Sequence, residues 1–209
     1  MRFDPSRLTG IVFIISIFFI AGCLGTGTQK PTEYYLLQPL KASIAGQGVA
    51  LGEGTVLGMG PVRVREYLNR PQIVTRTSTN EIRLHDFHYW GESLSNNFTA
   101  VLAQNLSILL STDRILIFPY RSKQELPVNY QILVDVIRFD GEPGVEATLI
   151  TQYYILAFEE NEKKQIVTRQ PIFSKPLTDK NFDTLVETMS ELVGDLSREI
   201  AEQIKNASQ

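Results

Sequence analysis

The sequence predicts an α+β fold: a mixed, mostly antiparallel sheet with two long helices packed on one of its faces. Two apolar stripes with helical spacing, one after Glu92 and one after Asn181, indicate the helices. Short segments of alternating apolar and polar residues, separated by Gly, Pro and Asn, indicate the strands. The last three strand-forming segments are joined by connections too short for crossovers, so we expect them to form an antiparallel meander.

The chain begins with a segment typical of an export signal. Arg2 and Arg7 precede an apolar run over residues 11–20, and small residues then lead to the only cysteine. A basic flank, a short apolar core and a small-residue cleavage site are the marks of a secretory signal. Because the apolar core has only about ten residues, it is shorter than the ~20 residues of a membrane-spanning helix. We therefore expect residues 1–22 to be removed.

Cys23 directly follows Ile20, Ala21 and Gly22. A lone thiol in an exported protein leaves a free thiol, an intermolecular bridge or a modified residue. The four residues resemble the lipobox of bacterial lipoproteins, which implies a diacylglycerol on the Cys23 sulfur and an acylated amine, typically with palmitate. Two or more acyl chains would hold the protein on a membrane. An aspartate at position 24 would favour inner-membrane retention, so Leu24 implies the outer membrane. The alternative to lipidation is that Cys23 is a buried core cysteine after an uncleaved apolar helix.

Composition and charge limit what the remaining chain can be. Loss of Arg2, Arg7 and Asp4 with the leader leaves 18 basic and 22 acidic side chains, from 20 and 23 in the whole chain. This mild acidity gives no clustered basic face for nucleic acid. Residues 24–32 contain two glycines and no apolar periodicity. We therefore expect a lipidated amino terminus and flexible tether over 23–32 and a single periplasmic domain over 33–209.

Four short strands are predicted before the first helix, at residues 34–37, 62–65, 72–76 and 81–84. Six glycines lie between positions 46 and 60, but Pro61 and Val62 follow the last of them. A phosphate-binding loop would carry a lysine and a hydroxyl residue there. The glycine-rich stretch is therefore interpreted as a mobile connection.

Four segments in this order resemble the ABC-type transport auxiliary lipoprotein family. They are GPVRV at 60–64, YLNRPQIVTR at 67–76, WGESL at 90–94 and RFD at 138–140, and the second is the most specific. The sequence departs from the family pattern at Arg65, where proline is frequent, and at Gly91 and Ser93 around the tryptophan. These departures bear on local backbone rigidity more than on membership.

The resemblance implies a role as well as a class. Members are the lipoprotein component of systems that move lipid between inner and outer membranes, together with an inner-membrane permease and a mammalian-cell-entry type periplasmic conduit protein. It implies an outer-membrane-anchored, non-catalytic subunit facing the periplasm, forming a ring or other homo-oligomer, that docks the conduit. A structural lipoprotein of another envelope assembly or secretion complex, and a periplasmic hydrolase, are the alternatives.

The two helices should frame the remaining strands. The first stripe runs from Leu94 to Leu109, with Ser93 or Ser95 as its cap, and the second runs from Phe182 to Ile204. The second helix should start at Asp179 or Asn181 and pack against the sheet. The predicted strands between the helices are 115–118, 130–139, 146–159 and 165–173, with a turn at 140–144. Glycosylation patterns at Asn97 and Asn105 are interpreted as coincidental.

The sequence carries no constellation that predicts catalysis. His85 and His88 are the only histidines, and no third metal ligand stands at a recognisable spacing. Nucleophile-elbow, zinc-protease and phosphate-loop motifs are missing from the sequence. Asp135, Asp140 and Glu142 are interpreted as strand-edge and turn residues. No enzyme activity, metal or cofactor is predicted.

A set of aromatic and polar residues around the short strands and the first helix start stands out. Trp, Tyr and Arg are the residues that interfaces favour. The candidate partner-contact residues are Tyr67, Arg70, Gln72, Arg76, Trp90 and Glu92. The alternative is structural: Arg70 and Arg76 would pair with carboxylates such as Glu92, and Trp90 would close the end of the core.

Overall fold

The computed structural model describes residues 30–41, 51–52, 54–119, 127–159 and 162–208. Residues Thr32–Gln209 form one unit. The strands are β1 (Glu33–Tyr35), β2 (Leu57–Val64), β3 (Gln72–Arg76), β4 (Ile82–Trp90), β5 (Ile115–Ile117), β6 (Tyr130–Glu142), β7 (Glu146–Glu159), β8 (Glu162–Arg169) and β9 (Ile172–Pro176). The helices are α1 (Leu94–Leu109) and α2 (Phe182–Ala207). The predicted leader and lipobox lie outside the described residues, as do residues 46–50 and 53 of the glycine-rich stretch.

A long antiparallel hairpin of β6 and β7 forms the centre of the sheet. Gly144, with φ of 81°, sits in the tight turn that joins the two strands, a conformation that favours glycine. Each outer edge of the hairpin pairs with two strands in succession. On β6, the first half pairs with β2 and the end pairs with β3; on β7, the first half pairs with β9 and the second half with β8.

The sheet changes direction where the partners of β6 change. The register between β6 and β7 slips between Val136 and Arg138, which leaves one extra residue on β6. A bulge of this kind bends a strand and increases its twist. Because the pairing with β2 ends at Val136 and the pairing with β3 occurs at Gly141, the bulge separates the two halves. Beyond β3, the part of the sheet at the end of β6 continues with β4 and then β1, in the order β1-β4-β3-β6.

The α+β prediction is confirmed, and one strand prediction is wrong. The sheet is mixed: its longest ladder, between β6 and β7, is antiparallel, and β7 with β8 continues the predicted meander. The predicted strand over 165–173 is instead two strands, β8 and β9, which both pair with β7. Pro171, which has no N–H to donate, lies between them.

Both helices begin at one of their two predicted caps. Ser93 Oγ accepts the N–H of Asn96 at 3.4 Å at the start of α1. Asn181 Oδ1 accepts the N–H of Asp183 at 2.9 Å at the start of α2. These bonds satisfy amide groups that have no partner inside a helix.

The two helices contact each other and the sheet, and the hydrophobic core lies between the helices and the sheet. The rings of Phe98 on α1 and Phe139 on β6 meet edge to face at 5.5 Å. On α2, Leu185 approaches Gly141 so closely that a β-carbon there would lie 2.6 Å from its Cδ1. The structure therefore confirms the predicted packing of α2 against the sheet.

The segment that follows β1 crosses both helices and is held there by buried side chains. Asn97 Oδ1 accepts the N–H of Leu37, and Asn105 Oδ1 accepts the N–H of Leu40, each at 2.7 Å. Ser190 on α2 holds the segment in between, by accepting the N–H of the residue after Leu37 at 3.0 Å. The two asparagines of the glycosylation patterns are thus buried backbone acceptors, which fits their interpretation as coincidental patterns.

Candidate functional site

Five of the six candidate contact residues separate into two groups around the turn between β2 and β3, and Gln72 belongs to neither. The first group centres on the carboxylate of Asp140, which is fully buried. Arg76 Nη2 donates to Oδ2 at 3.0 Å and Arg138 Nε donates to Oδ1 at 2.8 Å. Tyr67 donates its hydroxyl to Oδ2 at 3.3 Å. We call these four residues the Asp140 cluster.

The Asp140 cluster has the electrostatics of a structural ion network. Its hydrogen bonds to Asp140 raise the pKa of Arg76. Burial first, and then the charge of Asp140, raise the pKa of the Tyr67 hydroxyl. Tyr67 therefore stays protonated and Arg76 stays charged, so neither group is prepared for proton transfer near neutral pH. Two guanidinium groups around one buried carboxylate compensate for its lost hydration.

One sequence interpretation is wrong at this cluster. The sequence predicts Asp140 at a turn, but β6 continues to Glu142, so Asp140 lies inside a strand in the buried part of the sheet. The structural alternative, that Arg76 pairs with a carboxylate such as Glu92, agrees with the structure in kind, and the carboxylate is that of Asp140. The sequence contains one signal for this cluster, Arg138-Phe139-Asp140 within a long strand segment. Arg76 joins it through the parallel contact between β3 and β6, which links residues far apart in the sequence.

The second group lines a pocket of about 350 Å³ between the β2–β3 turn and the start of α1. We call it the Arg70 pocket; its walls are Asn69, Arg70, Pro71, Trp90, Glu92, Ser93 and Leu94. The Trp90 side chain is 5% exposed and belongs to the core. The backbone N–H of Trp90 donates to the Pro71 carbonyl at 2.7 Å. The predicted alternative, that Trp90 closes the end of the core, is thus consistent with the structure.

Charged groups of opposite sign stand at the Arg70 pocket. Arg70 Nε is buried and has no hydrogen-bond partner among the described residues. Glu92 Oε1 accepts a hydrogen bond from the side-chain amide of Asn97 at 3.0 Å. Among the described residues, Glu92 and Arg70 do not form an ion pair. A buried N–H without a partner costs free energy. The walls of the pocket combine the charged residues Arg70 and Glu92 with the apolar residues Trp90 and Leu94.

The hydroxyl residue among the described residues of the pocket wall is Ser93, and its side-chain oxygen caps α1. A nucleophile would need a neighbouring base within hydrogen-bond reach. Gln72, the last of the six candidates, is half-buried and pairs with Tyr89 in the ladder between β3 and β4.

The two histidines lie in an aromatic cluster at the start of α2. His88 stacks on Phe182 with ring centres 3.7 Å apart, and its Nδ1 is 3.0 Å from the Tyr35 hydroxyl. His85 Nε2 is 2.8 Å from Thr75 Oγ1, and burial, followed by the charge of His88, lowers the pKa of His85. Within the described part of the chain, no three His, Cys, Asp or Glu side chains are grouped closely enough to hold a metal ion.

Neither α1 nor α2 combines the length and the apolar character that crossing a membrane requires.

Comparisons with known proteins agree with this architecture. The fold is similar to the crystal structure of a Xanthomonas campestris protein of the DUF330 family, with a TM-score of 0.64, 12% identity, and coverage of 85% of this chain and 99% of that one. A second crystal structure, of an uncharacterized protein, gives a TM-score of 0.63 at 17% identity, covering 84% of this chain and 99% of that chain. No curated protein matches the chain in sequence.

The family comparison extends over most of the chain. Residues 35–201 match the sequence profile of the ABC-type transport auxiliary lipoprotein component. The match includes the Asp140 cluster, the Arg70 pocket and nearly all of α2. This chain belongs to the ABC-type transport auxiliary lipoprotein family.

Proposed function

We propose that this protein is an outer-membrane-anchored periplasmic lipoprotein and a non-catalytic auxiliary subunit of an ABC and mammalian-cell-entry type system for lipid transport between membranes. In this proposal the acyl chains on Cys23 supply the location and the folded domain supplies the contact. The domain docks the far end of the periplasmic conduit protein, as a ring or other homo-oligomer. Membership of the transport auxiliary family supports the class of function.

The observation that carries the docking role is the Arg70 pocket. The pocket wall combines Arg70, Trp90 and Leu94, and Arg70 Nε is buried without a hydrogen-bond partner among the described residues. Interfaces concentrate their binding energy in such places, where an arginine and an aromatic residue meet a group that excludes water. A backbone carbonyl or a carboxylate of the conduit, followed by an apolar side chain, has the matching chemistry. The Asp140 cluster is already satisfied internally, so it supports the pocket without contacting the partner.

The anchor is tested by intact mass spectrometry of the protein extracted from membranes. The proposal expects a chain that starts at Cys23 and carries the added mass of a diacylglyceryl group and an amide-linked acyl chain. Membrane fractionation should place that species in the outer membrane. An unmodified Cys23, or a retained Met1, contradicts the anchored role.

Docking is tested by copurification of the lipidated protein with the components of its transport system. We expect the conduit protein to copurify with the wild type, and Arg70→Gln to reduce its recovery at least several-fold. Arg114→Gln serves as the matched control, because Arg114 is an exposed arginine outside the Arg70 pocket. Recovery of an unrelated envelope assembly instead of the conduit would support the structural alternative.

The oligomeric part of the proposal needs its own measurement. Native mass spectrometry of the lipidated protein in detergent should show one closed species with several copies of the chain. A monomer at every concentration would remove the ring from the proposal and leave the anchor and the pocket to be judged separately.

A further inference from the structure

The side of β1 and β4 that faces away from α2 exposes large apolar side chains to solvent. Tyr34 is 70% exposed, Phe87 is 42% exposed and Leu84 is 40% exposed. The rings of Tyr34 and Tyr89 are 5.9 Å apart. Single exposed apolar residues are ordinary, but adjacent ones on two paired strands mark an interaction surface. We call Tyr34, Leu84, Phe87 and Tyr89 the outer apolar face.

The alternation of side chains places Leu84 and Phe87 on that face. His85 and His88 both contact Phe182, the first residue of α2, with ring centres 4.7 and 3.7 Å away. Regular alternation is interrupted in this part of β4, because its register with β3 shifts between the pairs Val74–Leu84 and Gln72–Tyr89. This irregularity lets His85 and His88, three residues apart, share the side of Phe182. Neighbouring residues still point to opposite sides, so Phe87, which precedes His88, and Leu84, which precedes His85, point away from α2.

Tyr34 and Tyr89 join them by the same reasoning. Tyr35 lies on the side of Phe182, with ring centres 6.2 Å apart, so Tyr34 points to the other side. Tyr34 and Tyr89 are cross-strand partners in the parallel ladder between β1 and β4. The four side chains thus share one side of the sheet at the end of its strand order.

The position of this face in the sequence indicates what covers it. Cys23 precedes Glu33, the first residue of β1, by ten residues. Ten residues span at most about 35 Å even when fully extended. β1 is the first strand of the described domain, so a membrane anchor at Cys23 limits the start of β1, beside the outer apolar face, to within about 35 Å of the lipid surface.

The chemistry of the face fits a lipid interface. Tyrosine rings favour the headgroup region, where the hydroxyl stays hydrated, and Phe and Leu bury their area at the acyl boundary. The exposed charged residues nearby are of both signs and include Glu33, Arg83 and Asp86. Attraction would therefore come from apolar burial, with little dependence on salt.

We propose that the outer apolar face rests on the lipid interface of the membrane in which Cys23 is anchored. The inference depends on the proposed function for the anchor at Cys23 and goes beyond it. The domain is then held in one orientation on the membrane, instead of swinging freely on its tether.

The test uses the full lipidated protein in vesicles of phosphatidylethanolamine with a minor fraction of phosphatidylglycerol. Single cysteines are introduced by Tyr34→Cys, Leu84→Cys and Phe87→Cys and labelled with the fluorophore NBD. Ile172→Cys is the matched control, because Ile172 is an equally hydrophobic residue, 65% exposed, on β9. Three positions on the face keep the test decisive if one variant does not fold, and thermal melting identifies such a variant.

The proposal expects NBD emission to shift to shorter wavelength at the three face positions when the protein is on vesicles. Lipids carrying a shallow doxyl quencher should quench these positions several-fold more than Ile172→Cys, at low and at high salt. Equal quenching at all positions overturns the proposal, as does a shift without quenching, which would indicate a second copy on the face. Labelling of the wild type, or failure to attach to vesicles, means instead that Cys23 carries no lipid, which overturns the anchor itself.

Discussion

Replacing Asp140 by asparagine tests whether the Asp140 cluster stabilises the domain as a buried ion network. Asparagine keeps the shape of the side chain and removes its charge. Arg76 and Arg138, whose side chains are 20% and 28% exposed, would then face a neutral amide. Breaking a buried ion pair on one side costs about 3–5 kcal/mol, because the remaining charge is left without compensation. Both arginines keep some access to water, so we expect the lower end, about 3 kcal/mol.

The assay is reversible unfolding in urea, supported by thermal melting. A loss of about 3 kcal/mol should lower the melting temperature by roughly 6–12 °C in a domain of this size. Asp135→Asn is the matched control, since Asp135 is a half-buried aspartate on the same strand; we expect a change within about 0.5 kcal/mol. In a double-mutant cycle, Arg76→Gln should cost less in the Asp140→Asn background than in the wild type. A loss below about 1 kcal/mol for Asp140→Asn, or strict additivity, would refute the network.

Three further changes test how the elements around the site are held. Asn105→Leu should cost about 1–3 kcal/mol, because it leaves the N–H of Leu40 without its acceptor. Gly141→Ala should cost about 1–3 kcal/mol by overpacking, since the new carbon would lie 2.6 Å from Leu185 Cδ1. The folded-state pKa of His85 lies below its ordinary value of 6.5, so the folded state binds fewer protons than the unfolded state. Stability should therefore fall as the pH drops below about 6.5, and His85→Gln should flatten that fall.

Asn105→Leu and Gly141→Ala each have a matched control variant, and His85→Gln is compared with the wild type. Urea unfolding measures the stability of all of them. Gln104→Leu, at the exposed neighbour of Asn105, should be nearly neutral; equal losses at the two positions would argue against the backbone bond. A β-carbon at Gly91 would lie 3.2 Å from Leu36 Cδ2 and 3.5 Å from the Tyr35 carbonyl oxygen, so Gly91→Ala should cost less than Gly141→Ala. If wild type and His85→Gln lose stability identically between pH 7 and pH 5, burial of His85 does not contribute to the pH dependence.

Local chemistry was the part of the fold that could be predicted from the sequence. The caps Ser93 and Asn181 were among the predicted candidates, because capping depends on a few neighbouring residues. The bounds of β7 follow from an uninterrupted pattern of strand-forming residues between two turn signals. The split between β8 and β9 falls at Pro171, which lies within an otherwise strand-like segment and has no N–H to donate.

Long-range pairing accounts for what could not be predicted. Asp140 appears as a turn residue in the sequence, and only the approach of β3 to the end of β6 shows that it is buried between two arginines. Asn97 and Asn105 match a modification pattern, whereas their role depends on the chain segment that lies across α1. The candidate contact residues stay a prediction; that Tyr67 and Arg76 join an internal network while Arg70, Trp90 and Glu92 line a pocket depends on pairing between distant segments.

The most direct test of the docking role is photo-crosslinking in cells from the rim of the Arg70 pocket. A photoreactive amino acid at Asn69, an exposed residue of the pocket wall, is compared with the same amino acid at Asp113, which is exposed outside it. The proposal predicts an adduct with the mammalian-cell-entry type conduit protein from position 69, and none from position 113. Adducts only from position 113, or only with proteins outside the transport system, would contradict it.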